Sequence, residues 1–128
     1  MRRKQAREFV VLKAFEMDAN NNWGTDPDKV IGNEELGRQS AYVHKVIKKL
    51  SEDREEIDAL INGVSDKWTT GRMAKTDLAI IRIAAVEMLY VDDVPKAVAI
   101  NEAVELSKKY GTEDSGRFIN AILGKIDA

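Results

Sequence analysis

The sequence predicts an all-α protein of two packed helical lobes, with about six to seven helices. Three observations lead there. Apolar residues recur at the i, i+3, i+4, i+7 spacing of helices along almost the whole chain, and runs of strict alternation are absent. The 128 residues are enough to bury a core without staples, and with no cysteine neither disulfides nor thiolate metal sites are available. Turn formers cluster at Asp66 to Gly71. They divide one compact domain into an N-terminal lobe, residues 1–66, and a C-terminal lobe, residues 67–128.

The first helix is expected from about Lys4 to Asp18, ending in Asn20, Asn21, Asn22 and Gly24, residues that tolerate turn geometry. Trp23 to Gly37 holds Asp26-Pro27 and two further glycines, so it reads as a long connection with one helical turn at Asp28 to Ile31. Leu36, Val43, Val46, Ile47 and Leu50 mark a second helix; Ile57, Leu60, Ile61 and Val64 mark a third, with Ser51 as a cap between them. Thr76 is placed to cap a fourth helix, Asp77 to Val91, which is apolar nearly all round and so belongs at the buried centre. Pro95 opens a fifth helix, where a missing amide costs nothing, and Gly111 closes it after Lys108 and Lys109. A sixth contains Phe118, Ile119, Ile122, Leu123 and Ile126. Trp23 and Trp68 are read as core anchors.

The net charge of −2 hides an asymmetry: residues 1 to 15 hold five basic side chains and one acidic one, and the rest hold fifteen against twenty-one. A positive tip sits on an acidic body. Arg2, Arg3, Lys4 and Arg7 stand at the start of a helix, whose exposed amides already carry partial positive charge. Each such placement costs about 0.3 to 1 kcal/mol when exposed, and an external anion reverses the penalty. The tip is therefore expected to be frayed when free and ordered by phosphate. Arg3, Arg7, Val11 and Phe15 step by four along one line, offering charge and then an aromatic ring, the pairing that single-stranded RNA uses. Short basic termini also serve solubility, and Phe15 suits a core position. The cluster alone leaves both readings open.

Little else suggests chemistry. No glycine-rich phosphate loop is present, and Asp26, Asp28 and Gly32 lack the calcium-loop spacing. His44 is the single histidine, without the companions a zinc site or a nucleophile needs. The pairs Glu34 with Glu35 and Asp92 with Asp93 read as solvated surface. The apolar run Leu78 to Val91 is interrupted by Arg82 and Glu87 and is too short for a bilayer; the opening residues do not form a signal peptide. The expectation is a cytoplasmic, non-enzymatic protein with no cofactor, no metal and no membrane contact.

Read as text, the C-terminal half says more. IIRIAAVEML (80–89), VPKAVAINEAVELSKKYG (94–111) and EDSGRFINAILGKI (113–126) closely resemble the NusB family of transcription antitermination factors, and RRKQAREFVVLKAF (2–15) resembles that family's arginine-rich opening. These strings cover nearly half of the chain in the family's order; residues 20–70 match only in helical character. The resemblance implies a two-lobed all-α fold and binding of the boxA element of nascent RNA, notably ribosomal RNA operon transcripts. It implies NusE, a small-subunit ribosomal protein, as a partner, within a complex of other Nus factors and RNA polymerase. By position, the family's RNA contacts fall on Arg2, Arg3, Lys4 and Arg7, on Phe15 in place of a tyrosine, on Asp77 in place of a glutamate, and on Asp114 and Phe118. Phe15 keeps a stacking face and loses a hydroxyl; Asp77 shortens the carboxylate's reach. Asn101 and Glu102 are read as buried polar ties between helices, and Arg82 as paired with an interior carboxylate. Family members occur as monomers or as homodimers that hide the RNA face, so a homodimer stays open. The competing readings are a helical module that binds protein only, and the NusB-like domains attached to RNA cytosine methyltransferases. The latter is not expected, because no cofactor-binding domain follows.

Overall fold

The computed structural model describes residues 1–127, and among these places α-helices and short 3-10 turns with no strand. The helices are α1 (Arg3–Ala19), α2 (Pro27–Ile31), α3 (Ser40–Val64), α4 (Lys75–Tyr90), α5 (Lys96–Tyr110) and α6 (Ser115–Gly124). Single 3-10 turns lead into α3 and α4, at Gly37–Gln39 and Thr70–Arg72. The all-α class is as the periodicity predicts.

Local chemistry accounts for most boundaries. In α1 the Gln5 side chain accepts the Arg2 amide at 2.8 Å, and Ala6, Val10, Val11, Ala14 and Met17 form its buried face. The helix ends where Asn21 takes a left-handed conformation, φ 49°. The expected turn at residues 28–31 is α2: Asp26 accepts the Asp28 amide at 3.0 Å, Pro27 is the first helical residue, and Gly32 leaves with φ 68°. Pro95 stands just before the first residue of α5.

As expected, a second and a third helix follow one another here: the span α3 holds two helical segments that meet, without a loop, at a kink at Asp53, where the backbone is not helical (φ −113°, ψ 19°). Leu50 and Ile57, on either side of the kink, both face the core. Three expectations need correction. Ser51 is no cap between the two segments, and its hydroxyl is buried without a hydrogen-bond partner. Thr76 lies inside α4, which starts after Ala74. Trp68 is no core anchor; it is 49% exposed.

As expected, α4 is the buried centre, with every residue from Leu78 to Glu87 shielded from solvent. It packs against α1, α3, α5 and α6, and α5 packs along α6. The apolar core runs unbroken from α1 residues to Ile126, across the loop that joins α3 to α4. Arg82 of α4 meets Asp58 of α3 through two bonds, at 2.9 and 2.8 Å, and approaches Asp18 of α1 at 3.4 Å. Trp23 lies half-buried over this cluster, its ring 4.8 Å from the Arg82 guanidinium and 5.0 Å from that of Arg54. The interior carboxylate expected for Arg82 is Asp58.

The short α2 is held to α3 by His44. One ring nitrogen donates to the Ser40 carbonyl at 2.8 Å and the other faces Asp28 at 2.9 Å. Two acceptors call for two N–H donors, so the Ser40 carbonyl first and Asp28 second raise the imidazole pKa above its ordinary value. A raised folded-state value makes this contribution complete below about pH 6.5 and removes it as the pH climbs through the folded value. Melting temperatures measured across that range should fall more for the wild type than for His44→Gln. Asp58→Ala, which strands Arg82 in the interior, should lower stability to urea by about 3 to 5 kcal/mol.

Candidate nucleic-acid interface

The four N-terminal cations do not form a free tip. Arg3 donates to Gln39 at 2.6 Å, makes long contacts to Asp93 at 3.4 to 3.5 Å, and stacks 4.2 Å from the Tyr42 ring centre. Lys4 lies 3.4 Å from Glu102 and keeps most of its side chain in solvent. Arg2 is exposed and has no carboxylate partner among the described residues. Glu8, the acidic residue of this segment, accepts from Lys109 at 2.5 Å and from the Tyr110 hydroxyl, and these bonds hold its pKa below the ordinary value. The first turn of α1 thus has partners within the protein, which corrects the expectation of a tip frayed until phosphate arrives. The exposed pairs to Asp93 and Glu102 are of the kind worth about 0 to 1 kcal/mol, weak enough to be exchanged for a phosphate.

Arg7 is different. Its side chain is 6% exposed and binds Glu87 through Nε at 2.8 Å and Nη2 at 2.9 Å, with Glu102 at 3.7 Å. Burial acts to lower the guanidinium pKa, but the bond to Glu87 and its charge outweigh that and raise it. Steps of four drift by about 40° per step around a helix, so the line from Arg3 through Arg7 and Val11 to Phe15 dives under the surface and re-emerges. Arg7 and Val11 are 5% and 4% exposed, and Phe15 is 37% exposed. Arg2, Arg3, Lys4 and Phe15 reach solvent, and Arg7 does not.

The other three expected contacts gather elsewhere. Asp77, Asp114 and Phe118 line one cleft beneath the N-terminal end of α4, together with Trp68, Arg72 and Met73. Asp77 is 8% exposed and no donor in the structure reaches its Oδ1. Asp114 precedes α6 and accepts from Arg117 at 2.9 Å. Helices α1 and α4 run antiparallel, with Arg7 on Glu87 at one end and Asp18 near Lys75, 3.5 Å away, at the other. Asp77 and Glu87 are ten residues apart on α4, about 15 Å by helical rise. Cations lie at one end of the pair and a mixed aromatic and acidic cleft at the other, with Phe15 nearer the cleft.

The comparisons with known proteins agree with this architecture. The NusB family model matches residues 4–128. The chain belongs to the NusB family. Among its relatives in that family, the transcription antitermination protein NusB of Desulforamulus reducens is 44% identical, over 98% of this chain and 90% of its own. That of Geobacillus kaustophilus is 39% identical over 100% and 97%. Among solved structures, T. maritima NusB superposes with a TM-score of 0.87 at 31% identity, covering 98% of this chain and 90% of that one. A chain from the crystal structure of a plectonemic RNA supercoil superposes with a TM-score of 0.82 at 26% identity, over 98% and 94%.

Within this NusB-family fold, two residues of the cleft were not anticipated, Trp68 and Arg72. A signal existed for Trp68. Val64, four residues back, continues the apolar spacing up to it, but Lys67, Thr69, Thr70 and Gly71 are not apolar and Arg72 holds the position one helical turn on, so the stripe stops at the indole. Nothing local marks Arg72. Glu102 bridges helices as expected, while Asn101 lies exposed rather than buried. The Arg7 pair sets a testable contrast: Arg7→Met should cost about 3 to 5 kcal/mol in urea unfolding, since Glu87 is left buried and alone, whereas Arg7→Met with Glu87→Met should recover most of the loss.

Proposed function

We propose that this chain is an RNA-binding transcription antitermination factor that recognises boxA RNA of nascent ribosomal RNA operon transcripts together with NusE. Membership of the NusB family carries the antitermination role, and the relatives named above bear that name. The observation that favours direct RNA contact is the start of α1, where Arg2 has no carboxylate partner among the described residues and the ion pairs of Arg3 and Lys4 are weak and exposed. Phosphate can replace those carboxylates at small cost while the helix amides add to the attraction. The RNA supercoil structure that resembles this chain is in keeping with an RNA partner.

Arg7 then serves the interface indirectly, by fixing the helix that presents the other three cations. The acidic remainder of the chain suits a basic ribosomal protein, since opposite potentials speed encounter and favour the right partner. Chemistry on RNA is not part of this reading, and no group of three or more metal-ligating side chains is found among the described residues.

A mobility-shift titration decides the matter. BoxA RNA should bind more tightly than a scrambled RNA of equal length, and NusE should tighten the complex further. Arg2→Ala with Lys4→Ala should weaken both RNAs and reduce the slope of log K against log salt by about 0.7 for each phosphate left without its cation. Unchanged affinity and slope in that variant would remove the tip from the interface. Binding of NusE with no RNA binding at all would point instead to a protein-only module.

A further inference from the structure

The Arg3 guanidinium is held on three sides within the protein. Its Nε donates to the Gln39 side chain at 2.6 Å, and its central carbon lies 4.2 Å from the centre of the Tyr42 ring. Gln39 ends the 3-10 turn that leads into α3, and Tyr42 is buried in α3, so both supports come from outside the first turn of α1. The two Nη groups remain, the fork with which a guanidinium grips a carboxylate or a phosphate. They meet Asp93, Nη1 with Oδ1 at 3.5 Å and Nη2 with Oδ2 at 3.4 Å. Full charge-assisted bonds are about 2.7 to 2.9 Å long, so the pair sets charge near charge and leaves most of the fork's bonding capacity unused. Arg7 shows the closed form of such a pair, at 2.8 and 2.9 Å on Glu87.

Asp93 reaches the fork because of how the turn from α4 to α5 is built. Val91 and Val94 are buried, and the Val94 amide donates to the Val91 carbonyl at 3.1 Å, which fixes Asp92 and Asp93 between two anchors. An aspartate just ahead of a helix ordinarily caps it. Here Pro95 holds the cap position and no side chain caps α5, so Asp93 is not spent on that task. Asp92, its exposed neighbour, makes no ion pair among the described residues. Glu102, the partner of Lys4, also lies 3.7 Å from Arg7 and shares in the buried tie of α1 to α4. Asp93 has no such second role: its side chain is 70% exposed, and Arg3 is its one charged contact among the described residues.

We propose, resting on the RNA-binding reading above, that Asp93 is a built-in competitor of RNA phosphate, an autoinhibitory contact that occupies the Arg3 fork in the free protein and lowers affinity for every strand alike. A carboxylate and a phosphate offer a guanidinium the same pair of acceptor oxygens, and one fork cannot close on both. When a phosphate takes the fork, Asp93 stays on its anchored turn and repels the newcomer at short range. Backbone contacts carry no sequence information, so the loss is the same for all sequences. Its consequence is selective nonetheless. A strand that holds by charge alone is pushed off the protein, while one with further contacts remains bound.

The experiment measures fluorescence anisotropy of labelled boxA RNA and scrambled RNA of equal length at one fixed salt concentration. Asp93→Asn should bind both RNAs about three- to fivefold more tightly than the wild type, the range for release of an exposed ion pair. Asp92→Asn removes the same charge from the same turn and should change binding by less than about twofold, since a charge off the fork acts only through screened solvent. In an Arg3→Met background, Asp93→Asn should bring no gain. Thermal melting of each variant checks the fold, and both aspartates are exposed. Equal gains from Asp92→Asn and Asp93→Asn would reduce the effect to general repulsion by an acidic turn and overturn the competitor. A gain that persists without Arg3, or one confined to a single RNA, overturns it too. If the wild type binds RNA and Asp93→Asn binds no better, the competitor is wrong while the RNA-binding reading stands. Binding by Asp93→Asn where the wild type shows none supports both. If neither protein binds either RNA, with or without NusE, both readings fall.

Discussion

The contact between Arg7 and Glu87 joins the first helix to the central one, and both partners have left the solvent to make it. Two charges of opposite sign in a protein interior are costly to desolvate, and their attraction offsets that cost only when the geometry is good. Here it is good, with Nε and Nη2 of one guanidinium on the two oxygens of one carboxylate. The same carboxylate and the surrounding burial push the Tyr42 phenol well above its ordinary range, burial being the larger cause. A second charged tie, Arg82 with Asp58 and Asp18, sits at the far end of α1. Apolar contacts would let α1 slide or rotate on α4 with little penalty. Two ion pairs spaced along it make one register far better than the rest.

Once α1 is fixed, its surface follows from helix geometry. The residues just before Arg7 emerge from the core with their charges outward, while the intervening turn is committed to packing. The guanidinium that the sequence groups with the outward cations is the one that anchors their helix. The carboxylates Asp93 and Glu102 serve the free protein by countering cations placed at the positive end of a helix dipole. Because these pairs are exposed, a polyanion can displace them with little loss of stability.

The two ends of the α1 and α4 pair offer different chemistry. Weakly paired cations attract any phosphate backbone and so position a nucleic acid without reading it. The cleft between Trp68 and Phe118, with its buried and unanswered carboxylate oxygen, repels backbone and accepts donors.

By itself the sequence determined the helical class, the central place of α4, the small turn at α2 and the positive opening of α1. These features depend on apolar spacing, turn formers and charge within a few residues, all of which are local along the chain. Tertiary structure alone decided which cation is buried, that no loop parts the helical segments of Leu50 and Ile57, and that Trp68 and Asp77 line one cleft. Arg7 and Glu87 are eighty positions apart, and Arg82 and Asp58 twenty-four. No local pattern distinguishes a cation that meets a carboxylate across that distance from one that meets water. The basic opening was legible as charge, and its division into three outward groups and one inward strut followed only from where α4 lay.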